Sequence, residues 1–441
     1  MKGQNTPCNE LKSCASMRLT DLIPSFRSRS QSLQMAADGV MELQPLRQGM
    51  PILNQSDPNV PLAIRCPEIS AEDRARDAHQ SKGQFLARQE RWEDIAKLMS
   101  EADTTLAKTG GGMPIAELVA YGARSDVVSA VEHALLDGVP DGDTSLLGGI
   151  EALESVLAEF DTCPWTAMNV ALAHIDLAWA WRGTGWDREV PNQNRAAFAA
   201  HFDRASDILM QLDPKFTGSP LLATCHATLS AGQPRNLQRI SMAFEDLIDL
   251  DPRNARAMRH FGMQMLPRWH GDYEALELAA RRNAGRTFDI WGAGGYAWVM
   301  FDAIATDFEA CARVDYDFFV DGLRDILKHT RDQYIVNLLA AYCSNTMQAD
   351  VSADEDSIAM RARIAANANW IVREHLCELH PLLWAHAARG FDNGLRVSCP
   401  QRFAQAGLAD AYRSLTEMFQ QELEAGQRII FTADGCETLT T

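Results

Sequence analysis

The sequence predicts an all-α protein built from antiparallel helix pairs stacked one on another. Three observations carry that reading. From about residue 69 the apolar residues recur at spacings of three and four, the period of a helix with one buried face. Runs with the alternating pattern of strands are almost missing, and only "RIIFTADG" at 428–435 reads as extended, too short by itself to found a sheet. "ASDILMQLDPKF" and "FEDLIDLDPRNA" both end an apolar helix with Leu-Asp-Pro, and Pro214 and Pro252 lie 38 residues apart, the length of a helix pair.

Taken in order, residues 1–66 stand apart. Six of the chain's 18 prolines fall there, with many Ser, Asn and Gln and no helical period, so the segment reads as a flexible extension ahead of a helical domain at 67–441. Ser70 is the expected N-cap of a helical pair that carries Phe85, Trp92, Ile95, Leu98 and Met99 on its apolar face. "PIAELVAYGARSDVVSAVEHALLDG" repeats the arrangement, with Gly122 between two arms and Gly138 as the stop. In the Leu-Asp-Pro signature, proline cannot continue the first helix but fits the first turn of the next, where the aspartate would meet a helix N-terminus.

Past the second signature the chain resembles the tetratricopeptide-repeat family. Ala255, Met258, Phe261, Gly262 and Met265 fall at the spacing of that family's first helix, and "GDYEAL" at 271–276 is similar to its inter-helix turn. The resemblance implies a curved α-solenoid, with Gly262 where two helices cross closely and a concave face that accepts a protein or peptide segment. The turn is two residues longer than the family's. Its "PRWHGDY" crowds Arg268, Trp269, His270 and Tyr273 together, and "HIDLAWAWRGTGW" at 174–186 gathers Trp179, Trp181, Arg182 and Trp186. Packing is the first reading of both clusters: Pro267 ends one helix, Asp272 caps the next, and Trp269 and Tyr273 fill the groove between them. Trp179 and Trp181, two residues apart on a helix, cannot both face inward. The binding reading takes Trp181, Arg182, Trp186, Arg268, Trp269, His270 and Tyr273 as partner contacts, aromatics for stacking and arginines for anions.

Other patterns exclude chemistry. "WGAGGYAW" at 291–298 lacks the spacing and the preceding strand of a dinucleotide loop, so its glycines are expected to let helices pack closely. "DYDFFVDG" at 315–322 puts Phe319 and Val320 where a calcium loop needs an oxygen ligand and a glycine, which leaves Asp317 as an expected N-cap. His375, Glu378, His380 and His386 lack metal-site spacing. The ten cysteines form no C-x-x-C pair, and Cys225, Cys311 and Cys343 sit in apolar helical stretches as small hydrophobes. A net charge of −18 disfavours nucleic acid, no run is long enough for a membrane span, and no cofactor or metal is signalled. The expected function is therefore non-catalytic binding of a protein or peptide by a cytoplasmic scaffold. The competing classes are a hydrolase or transferase using His270 and Asp272 with His174 and Arg182 in a Trp-rich pocket, and a structural subunit of a larger assembly.

Overall fold

Ser70 opens the first helix as expected: the Asp73 amide donates to its Oγ at 3.0 Å, starting α1 (Ala71–Arg88). The computed structural model describes residues 60–136, 138–139, 145–183, 189–212, 218–234, 236–348, 354–391, 397 and 399–440. α2 (Trp92–Thr104), α3 (Ile115–Ala134), α4 (Gly149–Glu159), α5 (Pro164–Arg182), α6 (Asn192–Met210) and α7 (Pro220–Ala231) complete the N-terminal half. The C-terminal half runs through α8 (Leu237–Leu250), α9 (Ala255–Gln264), α10 (Tyr273–Arg286), α11 (Phe288–Trp291), α12 (Gly294–Thr306), α13 (Phe308–Arg313) and α14 (Tyr316–His329). It continues with α15 (Gln333–Ala341), α16 (Glu355–Ala365), α17 (Ala368–His375), α18 (Pro381–Ala387), α19 (Pro400–Met418) and α20 (Gln420–Glu424).

Each half is organised around one helix buried on every side. In α5 every residue from Thr166 to Ala180 is buried, and in α12 every residue from Gly294 to Ile304 is. Such helices have no face turned to water over these spans, so they sit inside a ring of neighbours and their buried aspartates are paired there, Asp176 with Arg124 and Asp302 with Arg259. α3, α6 and α7 pack on α5, and α9, α10, α13 and α14 on α12. Two apolar cores result, and the half-buried Trp269 packs against both. Charged groups join the halves: Glu117 of α3 pairs with Arg256 of α9 at 2.6 Å, and Lys108 with Asp251 at 2.5 Å. Buried charges persist only when paired in this way.

Glycines set the closest helix approaches. A Cβ on Gly262 would lie 1.7 Å from the carbonyl oxygen of Val299, so Gly262 does sit at a close crossing, but with α12 rather than with α10, the paired helix that the repeat resemblance implies. Gly122 corrects another expectation. α3 is one continuous helix, and Gly122 presses on the Gln80 carbonyl of α1 while Gly83 of α1 presses on Val119. Gly294 and Gly295 of α12 seat against Ile326 and Thr287, the close packing expected of "WGAGG".

The sheet is the largest departure from expectation. β1 (Leu62–Ala63) pairs in parallel with β2 (Gln427–Thr432), which pairs antiparallel with β3 (Gly435–Thr440). Ile429 and Phe431 alternate inward and are fully buried, as are Leu62, Ala63 and Ile64. The run thought too short to found a sheet is its middle strand, and the expected boundary at 66 falls after β1. Residues 1–59 lie outside the described residues. Two further corrections concern caps. Asp315, rather than Asp317, caps α14, its Oδ1 accepting the Phe318 amide at 3.2 Å. The Leu-Asp-Pro aspartate, Asp251, follows α8 and pairs with Lys108, and Asn254 caps α9 by accepting the Ala257 amide at 3.2 Å. Pro214 lies outside the described residues.

Candidate functional site

The elbow between α9 and α10 is closed by its own chain. Asp272 is the N-cap of α10 as expected, its Oδ1 accepting the Ala275 amide at 2.7 Å. Arg268 donates to Thr306 Oγ1 at 2.9 Å. His270 donates through Nε2 to the carbonyl of Ala231, the last residue of α7, at 3.3 Å. The Tyr273 hydroxyl donates to Asp307 at 3.3 Å and its ring lies under Arg313. Trp269 meets Trp179 edge to face, ring centroids 6.5 Å apart.

The second aromatic cluster divides as the spacing requires. Trp179 is buried against Phe198 and Phe202, and Trp181 is half-buried, its carbonyl accepting from Asn194 at 2.6 Å. Arg182 donates to the Gly183 carbonyl at 3.2 Å. Trp186 lies outside the described residues.

His174 belongs to a different arrangement, which the sequence did not announce. Arg204 grips Glu154 with two bonds of 2.7 Å, and this, with the His174 bond, holds the Glu154 carboxyl down at about 2. Glu154 is therefore an anion and accepts His174 Nε2–H at 2.8 Å. His174 Nδ1 is left as an acceptor, and His201 Nδ1 meets it at 2.8 Å as the donor. Burial, and then the neighbouring His174, bring His201 down to about 4, so the pair is neutral at pH 7. The chain Arg204–Glu154–His174–His201 ties α4, α5 and α6 together. Among the described residues no bond is made to His201 Nε2, whose lone pair is a potential proton acceptor.

Of the residues of the competing enzyme reading, His174 bonds α4 and α6, Arg182 its own helix end, His270 the end of α7, and Asp272 the start of α10. Of the rejected metal candidates, His375 leans on Trp370, His386 on Phe403, and His380 bonds Glu378 at 3.0 Å. Among the described residues no group of three or more His, Cys, Asp or Glu is placed to hold a metal ion. No described helix is long and apolar enough to cross a membrane.

An open concave feature lies between α7 and α8, a groove of about 750 Å³. Ser219 and Asn236 start the two helices by accepting the amides of Leu222 and Arg239. Leu222, His226 and Ser230 follow at i, i+4 and i+8 along α7; Arg239, Ala243, Asp246 and Leu250 line the α8 side, with Met242 exposed between them. The groove has an apolar middle and charged ends. Arg286 neutralises Asp249 and Glu245 at 2.6 and 2.7 Å. Arg239 and Asp246 are exposed, and their side chains make no hydrogen bond or ion pair among the described residues. Sequence reasoning missed this site because α8 reads as an ordinary amphipathic helix whose charged face meets water. Compared with family models, with curated proteins and with solved structures, the chain matches none.

Proposed function

We propose that the protein is a non-catalytic binding protein of the helical-repeat kind, and that the groove between α7 and α8 receives a peptide segment of its partner. The observation that carries this reading is the groove itself: an open 750 Å³ cleft with exposed Met242 at its middle and two exposed side-chain charges that make no hydrogen bond or close ion pair among the described residues. A surface with no partner of its own would fold as well with those charges neutralised. Adaptable methionine beside fixed charges suits recognition of a polypeptide.

The test is a peptide-display selection on the full chain, followed by affinity measurement on Met242→Arg, an exposed change that should leave the melting temperature alone. Selected peptides should lose at least about tenfold in affinity, equivalent to 1.4 kcal/mol. Peptides that bind both proteins equally would remove the groove from consideration. The enzyme reading is favoured by one feature, the carboxylate–imidazole–imidazole chain ending at His201. It stands only if turnover of some substrate is found and His201→Gln abolishes it.

A further inference from the structure

Resting on the reading of the groove as a peptide site, we propose that its occupant is an amphipathic helix bearing an acidic and a basic side chain seven residues apart, with apolar residues between them. Arg239 pairs with the acid and Asp246 with the base.

The argument begins with register. Arg239 and Asp246 are seven residues apart on α8, two turns, which separates them by roughly 10 Å along the helix axis. A ligand helix lying beside α8 has the same rise, so residues i and i+7 on its facing side match that span, and i+3 and i+4 fall between them. An extended strand matches it poorly, because its side chains alternate faces and residues on one face recur at roughly 6.6 or 13 Å. The middle of the groove supplies what i+3 and i+4 need: Leu222 and Ala223 from α7, Met242 and Ala243 from α8. Each flanking charge is available. Arg286 bonds Asp249 and Glu245 and feels Asp246 only through space, so three carboxylates face one cation and Asp246, which has no close ion pair, is the acid open to a basic ligand group. His226 stands beside Arg239 on the facing helix, both at the wall of the groove, and adds a further donor at the end that takes the acid.

The experiment measures anisotropy of labelled helical peptides of about sixteen residues on the full chain. The peptides carry Leu at i+3 and i+4 and, at i and i+7, Glu and Lys, Glu and Glu, or Lys and Lys. The Glu/Lys peptide should bind the native protein best, by about threefold to fivefold over each matched-charge peptide, the effect of one partly exposed ion pair. Arg239→Glu should turn the preference to Lys/Lys, and Asp246→Lys to Glu/Glu. A proline at i+5 should abolish binding in all three. Equal binding of all peptides would keep the groove as a peptide site and overturn the charge register. Undiminished binding of the proline peptide would overturn the helical occupant. Absence of binding by any peptide, with α8-dependent self-association of the free chain in its place, would overturn both this inference and the reading beneath it.

Discussion

The elbow at 265–273 and the groove between α7 and α8 are close neighbours, joined by the His270 bond to Ala231, yet they use their side chains in opposite ways. The elbow is dense in Trp, Arg and Tyr, the residues enriched in binding hot spots, together with His270, and it bonds or packs these half-buried side chains against its own chain. Trp269 plugs the seam between two cores, Arg268 and Tyr273 bond α12 and its following turn, and Asp272 caps α10. The groove is made of ordinary residues and leaves Arg239 and Asp246 facing water. What draws the eye in a sequence is what a helical protein needs at its seams. Whether an exposed charge is held by a close ion pair is visible only in three dimensions.

The comparison is most exposed to failure at Trp269. Truncation to Ala removes an aromatic body shared by both cores, and for a half-buried ring that should cost about 3 kcal/mol, the lower end for buried aromatics. Loss of cooperativity should accompany it, because the seam opens between halves with separate cores. Chemical denaturation followed at two probes, one in each half, reads both effects. An unchanged midpoint would return Trp269 to the list of binding residues.

Acid sharpens the same contrast. His260 of α9 is buried against Phe244 and Gln264, and burial, with Arg256 nearby, lowers it from 6.5 to about 3. Its folded value lies below its unfolded value, so the neutral ring's contribution is complete above pH 6.5 and is lost as pH falls from there toward 3. Between pH 7 and 5 this amounts to roughly 2 kcal/mol. His201 and His386, each near 4 for the same first reason, act in the same direction. Asp103, Asp251 and Asp332 oppose it, since burial raises their carboxyls and protonation on acidification favours the fold. Melting at pH 7 and pH 5 should show a net loss. In His260→Gln the loss should be smaller by roughly the same 2 kcal/mol. Equal pH dependence of the two proteins would mean that the imidazole titrates freely.

Much of the fold was legible because its signals are local. Ser70 and Asp272 are caps because a short oxygen-bearing side chain precedes an apolar period, and Gly262 is a crossing because a small residue interrupts bulky ones. The sheet was not legible for the converse reason. β1 and β2 pair across almost the whole chain, and the two residues of β1 carry no pattern until Ile429 and Ile430 stand beside them. A cap is misassigned where two candidates compete within a turn, as with Asp315 against Asp317. The histidine chain from Glu154 to His201 crosses three helices, and no single stretch of sequence contains it.

The smallest expected effect separates the two regions most cleanly. Arg239→Ala and Asp246→Ala remove exposed side chains that make no hydrogen bond or close ion pair among the described residues, Arg239 acting on His226 and Asp246 on Arg286 only through space, so neither should move stability by more than about 0.5 kcal/mol. Asp246→Ala leaves Arg286 on Asp249 and Glu245 and should be the quieter of the two. Arg239→Ala keeps the backbone amide that bonds the Asn236 cap, so α8 should start as before. Thermal melts of both variants beside Trp269→Ala decide whether the groove's charges serve the fold. A loss above 1 kcal/mol at either position would mean that they do, and the contrast with the elbow would vanish. Unchanged melts with weakened binding of a groove peptide would leave recognition as the use for charges that folding does not require.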